Sequence, residues 1–211
     1  MTSHHEEIEK IRRKIEEVTD IIELENGLKI ITEHVPNAPG MLKGDLFIDF
    51  GAKDENPGED GAAHFFEHMC FNGTRKYPSR KELDRNMRLL GDRLNASTNR
   101  YRIFFPFNHL ERDLELTLDI ITQMAFDPIF TQEAFERERE IILNERENRF
   151  KNPINLAYEW SWQNFIKNFP LSHTVIGTPE TLREMKLETL ASYMSKFMVP
   201  NTEKTTQICL L

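Results

Sequence analysis

His64-Phe65-Phe66-Glu67-His68 places two imidazoles and one carboxylate within a single turn of a predicted helix. Residues four apart on a helix lie about 40° apart around its axis, so His64 and His68 share a face and can bind one metal ion. Glu67 lies between them in angle, close enough to take a proton from water at that ion. The pattern is the H-E-x-x-H motif of zinc hydrolases in reverse order. This stretch therefore predicts a zinc site equipped for hydrolysis.

A third ligand must come from elsewhere in the chain, because a catalytic zinc has three protein ligands and one open position. Candidate carboxylates lie in the segment 135–145, FEREREIILNE. Glu138 and Glu145 are seven residues apart. That separation is close to two helical turns, so both side chains leave the same face of a helix. Glu136 and Glu140 are interpreted as part of a solvated helix face.

These two segments together resemble the paired signatures of the pitrilysin/insulinase family of inverzincin metallopeptidases, which also includes the mitochondrial processing peptidases. Glu145 follows His68 at the spacing seen in that family. The resemblance implies a single Zn²⁺ bound by His64, His68 and Glu145. It also implies that Glu67 is the catalytic base. Glu138 would then support a ligand histidine through the ring nitrogen that faces away from the metal.

Two further passages extend the resemblance over nearly the whole chain. Residues 91–98, GDRLNAST, are similar to the strand that lines the family's cleft. Asn95 and Ala96 match the pair that binds extended substrate backbone in that family. Asn is also common in turns, so the substrate role of Asn95 depends on the resemblance. Residues 175–180, VIGTPE, are similar to a turn that precedes the family's later helices.

The pattern of strands and helices predicts an α+β fold, one pitrilysin-like lobe with a mostly antiparallel sheet and helices packed on one face. Strands are predicted at 27–35, 45–50, 94–98, 101–105 and 204–211. Helices are predicted after the N-caps Asp60, Ser79, Thr131 and Thr178, and also at 110–126, 155–167 and 188–198. Trp160 and Trp162 are expected to serve packing.

The chain is predicted to divide into an N-terminal extension, residues 1–23, and a single metallopeptidase lobe, residues 24–211. Apolar residues in the extension recur at spacings of three and four, which indicates an amphipathic helix over 5–18. The stripe spans too few heptads for a coiled coil, so it is expected to dock on its own domain.

Composition narrows the function classes. Asp and Glu outnumber Lys and Arg by 35 to 27, and the net charge of −8 argues against a nucleic-acid-binding protein. Cys70 and Cys209 form no disulfide framework, and Cys70 is expected to be a small buried residue. The N-terminus lacks the features of a leader peptide, and no apolar run approaches a membrane span. A soluble cytoplasmic protein is expected.

The resemblance implies a zinc-dependent endopeptidase that binds unfolded or short peptides at a sheet edge. Family members carry two related lobes, and the second supplies an Arg/Tyr pair that binds substrate. This chain has the length of one lobe, so a homodimer or a partner chain is expected to supply the other. The alternatives are a truncated product with little activity, a non-catalytic zinc-binding module, or a structural or regulatory lobe of a larger peptidase complex. The intact metal motif argues against a structural lobe.

Overall fold

A single six-stranded sheet organises the part of the chain that the computed structural model describes, residues 8–9, 19–25, 27–35, 37, 39–91, 94–166, 170–197 and 207–210. Its strands are β1 (Thr19–Glu23), β2 (Lys29–Glu33), β3 (Met41–Ile48), β4 (Ser97–Thr98), β5 (Ile103–Leu110) and β6 (Gln207–Leu210). They lie in the order β1-β2-β6-β3-β5-β4. The β2–β6 pair is parallel and the others are antiparallel, which confirms the predicted sheet.

Helices cover one face of this sheet, as the α+β prediction requires. They are α1 (Ala62–Cys70), α2 (Arg80–Met87), α3 (Leu114–Phe126), α4 (Gln132–Phe150), α5 (Pro153–Phe165), α6 (Pro179–Glu184) and α7 (Leu187–Phe197). Ser79, Thr131 and Thr178 each accept a hydrogen bond from the backbone N–H three residues later, so these predicted N-caps are confirmed. Among the described helices, none has the length and apolar character needed to cross a bilayer.

The core lies between the helices and the inner face of β3 and β5. Along both strands, buried residues alternate with more exposed ones, the period of a sheet with one covered face. Leu46 is opposite Phe105 in the register, and Ile48 is opposite Ile103. All four side chains are buried together with apolar residues of the helices above them. This packing fixes the central strands against the helical layer.

α1 forms because one of its faces is strongly apolar. Phe65, Phe66 and Met69 are buried, whereas the predicted metal-site residues of the same helix lie on its half-buried side. Phe65 stacks on Phe135 of α4, with ring centroids 4.5 Å apart and an interplanar angle of 7°. Cys70 is also buried, as predicted. The stacked rings hold α1 and α4 side by side.

The start of α1 differs from the prediction. Asp60 was expected as the N-cap, but Gly61 occupies that position, with φ of 94°. The buried carboxylate of Glu55 accepts hydrogen bonds from the backbone N–H groups of Gly61 and Ala63. A carboxylate at this helix end also interacts favourably with the helix dipole. Glu55 therefore performs the capping role that the sequence assigned to Asp60.

Strand bounds also differ from the prediction, and the strand predicted at 45–50 is β3, Met41–Ile48. The predicted strand 101–105 continues as β5 to Leu110, where a helix was expected to begin, and α3 begins at Leu114. Full pairing with β3 explains the longer strand, since Met41 lies opposite Leu110. The predicted strand 94–98 is shorter, because only Ser97 and Thr98 pair with β5.

The predicted N-terminal extension is described only in part. Residues 1–7 and 10–18, which include most of the predicted amphipathic helix, lie outside the described residues, and Ile8 and Glu9 are helical. Thr19–Glu23, assigned to the extension from the sequence, instead forms β1 and pairs along its length with β2. These five residues therefore belong to the sheet. The division into extension and lobe otherwise stays a prediction.

Candidate metal centre

The structure brings His64 and His68 of α1 together with Glu145 of α4. Nε2 of His64 lies 3.8 Å from one carboxylate oxygen of Glu145, and Nε2 of His68 lies 3.4 Å from the other. The two imidazole centroids are 4.7 Å apart. One ligand atom from each residue lies within 4.8 Å of those of the other two. The three side chains thus converge on one point between the helices.

The two histidines have opposite protonation tendencies in the metal-free site. Burial, together with the neighbouring charge of His68, lowers the pKa of His64 to about 4. Burial also lowers the pKa of His68, but its hydrogen bonds with Glu138 and Glu145 outweigh this effect and raise the value to about 9. The bond from His68 in turn lowers the pKa of the Glu145 carboxyl. At neutral pH and without a bound metal, His68 is therefore an imidazolium between two carboxylates, and His64 is neutral.

Glu138 lies behind His68, on the side away from Glu145. Its Oε2 is 3.2 Å from Nδ1 of His68, and its side chain is buried. The guanidinium of Arg80 donates to the other carboxylate oxygen at 3.3 Å. Burial opposes the ionised form of Glu138, but these contacts keep its carboxyl pKa below the ordinary value. Arg80 was not predicted, because α2 carries no motif that links it to the metal-site helices.

Glu67 projects from the same side of α1 and is held by a residue of the edge strand. The hydroxyl of Thr98 donates to Oε2 of Glu67 at 2.5 Å. Burial raises the pKa of the Glu67 carboxyl, and the Thr98 bond partly offsets this shift. Thr98 was not singled out from the sequence, although it lies only two residues after Ala96.

Two clefts meet at Glu67. One, of about 490 Å³, is lined by Asn95 and includes Glu67, His68 and Glu138. The other, of about 350 Å³, is lined by Ala96 and includes Glu67, His64 and Glu145. Asn95 and Ala96 therefore lie beside the candidate metal centre, one in each cleft, although neither belongs to β4 itself.

A buried ion pair borders the second cleft. Nη2 of Arg100 lies 3.1 Å from both carboxylate oxygens of Glu159 on α5, and its Nε donates to the carbonyl of Leu171 at 3.0 Å. The guanidinium also lies over the ring of Trp162, 4.4 Å from the centroid. These contacts tie the turn after β4 to α5. The sequence carried no signal for this pair, because its members are far apart in the chain.

α5 has an unusual distribution of side chains. Its buried residue is the charged Glu159, while large apolar side chains on the helix are exposed. Trp160, expected to serve packing, is 58% exposed, and Phe165 is 80% exposed. The exposed set is Ile154, Leu156, Tyr158, Trp160 and Phe165. Clusters of this kind are typical of surfaces that bind another protein.

The convergent donors fit a zinc ion. Imidazole nitrogen and carboxylate oxygen are both zinc ligands, and ligands at tetrahedral positions around zinc lie about 3.4 Å from one another. The His68–Glu145 and His64–Glu145 distances, 3.4 and 3.8 Å, are close to that value. Glu138 on the far nitrogen of His68 is the kind of partner that orients a metal-binding histidine. Nδ1 of His64 is buried without a hydrogen-bond partner among the described residues.

Sequence comparison identifies the family. Residues 29–179 match the family described as Insulinase (Peptidase family M16). The chain belongs to this peptidase family. Both segments that carry the metal-centre residues of this M16 chain lie inside the matched region.

Two curated relatives illustrate the match. The chain is 30% identical over 173 residues to the mitochondrial-processing peptidase subunit beta of Saccharomyces cerevisiae, with 82% of this chain and 37% of the relative covered. It is 29% identical over 177 residues to an uncharacterized zinc protease of Rickettsia bellii, with 84% and 42% covered. The M16 chain thus spans about two fifths of the length of these relatives.

Solved structures show the same fold. A protease from Helicobacter pylori superposes with a TM-score of 0.83 at 22% identity, over 90% of this chain and 45% of that one. Pitrilysin superposes with a TM-score of 0.76 at 24% identity, over 91% of this chain and 20% of that one. The M16 chain therefore has the fold of one pitrilysin-like lobe, as predicted.

Proposed function

We propose that this chain is the metal-binding lobe of a zinc-dependent endopeptidase, with Zn²⁺ held by His64, His68 and Glu145. The observation that carries the proposal is the convergence of these three side chains at zinc-like distances. Family membership supports the peptidase role, and one relative is named a zinc protease. When bound, Zn²⁺ would supply Lewis acidity to the scissile carbonyl and to water.

Glu67 is the proposed general base. Its carboxylate lies in both clefts next to the ligand set, and burial raises its pKa towards the range in which a carboxylate can exchange protons. It would take a proton from the attacking water and deliver that proton to the leaving amine. The water oxygen bonds to the carbonyl carbon first, and the C–N bond of the peptide then breaks as its nitrogen takes the proton from Glu67.

The proposed substrate is an unfolded or short peptide. β4 is the last strand of the sheet order, and the residues just before it line both clefts at Glu67. An extended peptide can add to such an edge through backbone hydrogen bonds, and Asn95 and Ala96 are placed to contact it. A folded protein would present few segments able to do so.

A second lobe, from another copy of this chain or from a partner chain, is proposed to complete the cleft. The chain covers less than half of the relatives and solved structures to which it is similar. The exposed apolar side chains of α5, of which Tyr158 lines the second cleft, are a further reason to expect a covering surface. Mass measurement in solution tests this point, since a monomer that cleaves peptides efficiently on its own would contradict it.

The decisive experiment combines metal analysis with a fluorogenic-peptide assay on the wild-type chain, on Glu67→Gln and on Glu140→Gln. Glu140 is an exposed carboxylate of α4 and serves as the matched control. We expect about one zinc per chain in all three proteins, and cleavage by the wild type and the control but not by Glu67→Gln. Full cleavage by Glu67→Gln would refute the base assignment. Zinc without cleavage in the wild type would instead support a non-catalytic zinc-binding lobe, and loss of both would support a structural one.

A further inference from the structure

The bond between Thr98 and Glu67 joins the substrate-binding edge of the sheet to the proposed base. Thr98 Oγ1 donates to Glu67 Oε2 at 2.5 Å, a length typical of a hydroxyl bound to an ionised carboxylate. Thr98 is half-buried and lies in the cleft that also contains His64 and Glu145. We infer that Thr98 is a positioning residue, which holds the Glu67 carboxylate in the orientation needed beside the ligand set. This inference rests on the proposed function of Glu67 as the base.

The backbone that carries Thr98 is fixed from two directions. Thr98 pairs with Ile103 of β5 in the antiparallel register. Two residues later, Arg100 is anchored by its buried ion pair with Glu159 and by its bond to the carbonyl of Leu171. The side chain of a glutamate on a helix can adopt several rotamers, so the orientation of its carboxylate depends on a hydrogen-bond partner in a fixed position. Thr98 is such a partner, since its β-branched side chain is itself restricted in χ1.

The same short segment also borders the proposed peptide site. Ala96 and Thr98 both line the cleft that contains His64, Glu67 and Glu145. A peptide that pairs with this edge would contact the segment at Ala96. The hydroxyl of Thr98, in the same segment, holds the Glu67 carboxylate. Substrate binding and orientation of the base would then be linked through one strand. Thr98 is the residue that makes the link.

The test compares Thr98→Val with Thr98→Ser. Valine keeps the branched shape without the hydroxyl, and serine keeps the hydroxyl without the methyl group. Ser195→Ala is the control, because Ser195 is an exposed hydroxyl residue of α7 that lines neither cleft. We expect Thr98→Val to lower kcat roughly ten- to a hundredfold, the effect of losing one hydrogen bond to a charged group, with KM changed less than about twofold. Thr98→Ser should recover most of kcat, and Ser195→Ala should match the wild type.

Zinc content and crystal structures of the same variants separate this inference from the proposed function. We expect unchanged zinc in all of them and a displaced Glu67 carboxylate in Thr98→Val only. Equal losses of kcat in the valine and serine variants, or a valine variant with normal kcat, would overturn the inference. If the wild type binds zinc but cleaves nothing, the proposed function fails, and the position of Glu67 in the Thr98→Val crystals then decides the positioning role: an unmoved carboxylate refutes it.

Discussion

Glu138 and His68 are joined across two helices, with Oε2 of Glu138 on α4 3.2 Å from Nδ1 of His68 on α1. Nε2 of the same imidazole faces Glu145 at 3.4 Å. A carboxylate that accepts from Nδ1–H selects the tautomer whose free lone pair is on Nε2. In the proposed zinc site, this bond would leave Nε2 of His68 free for the metal, on the side where the other two donors converge.

Replacement of Glu138 by glutamine is expected to weaken zinc binding about ten- to a hundredfold, the usual effect of losing a partner behind a metal-binding histidine. The geometry of the donors would remain, but the amide holds the imidazole less strongly than the carboxylate does. Competition with a chromophoric chelator measures the affinity. Glu140→Gln is the control on the same helix, and equal affinities in the two variants would show that Glu138 does not support the site.

Zinc affinity is expected to rise with pH. In the metal-free protein the pKa of His68 is raised to about 9, so this imidazole carries a proton at pH 7 that zinc must displace. The pKa of His64 is lowered to about 4, so this imidazole is already neutral at pH 7 and does not contribute to the pH dependence of zinc affinity there. We expect affinity to increase about tenfold per pH unit between pH 6 and 8. Calorimetry in buffers of different ionisation enthalpy should count about one proton released per zinc, and a flat affinity over this range would contradict the assignment.

The buried Arg100–Glu159 pair is expected to show strong coupling in stability. Arg100→Met leaves the Glu159 carboxylate buried without its cation, which costs about 3–5 kcal/mol of unfolding free energy. The double variant Arg100→Met/Glu159→Leu removes the stranded charge and should be more stable than Arg100→Met alone. Urea unfolding of the wild type and the three variants completes the double-mutant cycle. Simple additivity of the two single effects would show that the pair contributes nothing as a pair.

Gly177 lies where α1 meets the turn before α6. Its φ is +80°, and a Cβ at this position would lie 2.7 Å from the carbonyl oxygen of Asp60. Gly177→Ala is therefore expected to destabilise the protein through both backbone strain and a clash with backbone. Gly58→Ala is the control, since Gly58 has φ of +86° but open space around it, and strain alone costs about 1–2 kcal/mol. Thermal unfolding should rank Gly177→Ala well below Gly58→Ala, and equal losses would exclude the clash.

Helix starts were predictable because their chemistry is local. Ser79, Thr131 and Thr178 cap helices through bonds to residues only three positions away, so the sequence pattern carries the whole interaction. The cap of α1 was not predictable in the same way. Glu55 reaches Ala63 across a loop, and a neighbouring Asp60 offered the more usual residue type.

The length of β5 was misjudged because a strand edge is decided by its partner. Met41 of β3 pairs opposite Leu110, and this long-range pairing continues the strand where sequence periodicity favoured a helix. Likewise, the role of Trp160 could not be read from residue type, since burial of an aromatic side chain depends on what packs against its helix.

By itself the sequence determined which side chains share a helix face, namely the His64–His68 pair on one helix and the Glu138–Glu145 pair on another, because helical geometry repeats every 3.6 residues. Only the tertiary structure decided that these two faces meet. The stacking of Phe65 on Phe135 holds the helices together, and the edge strand brings Thr98 to Glu67. Such contacts depend on the packing of segments that are distant in the chain, which no local pattern encodes.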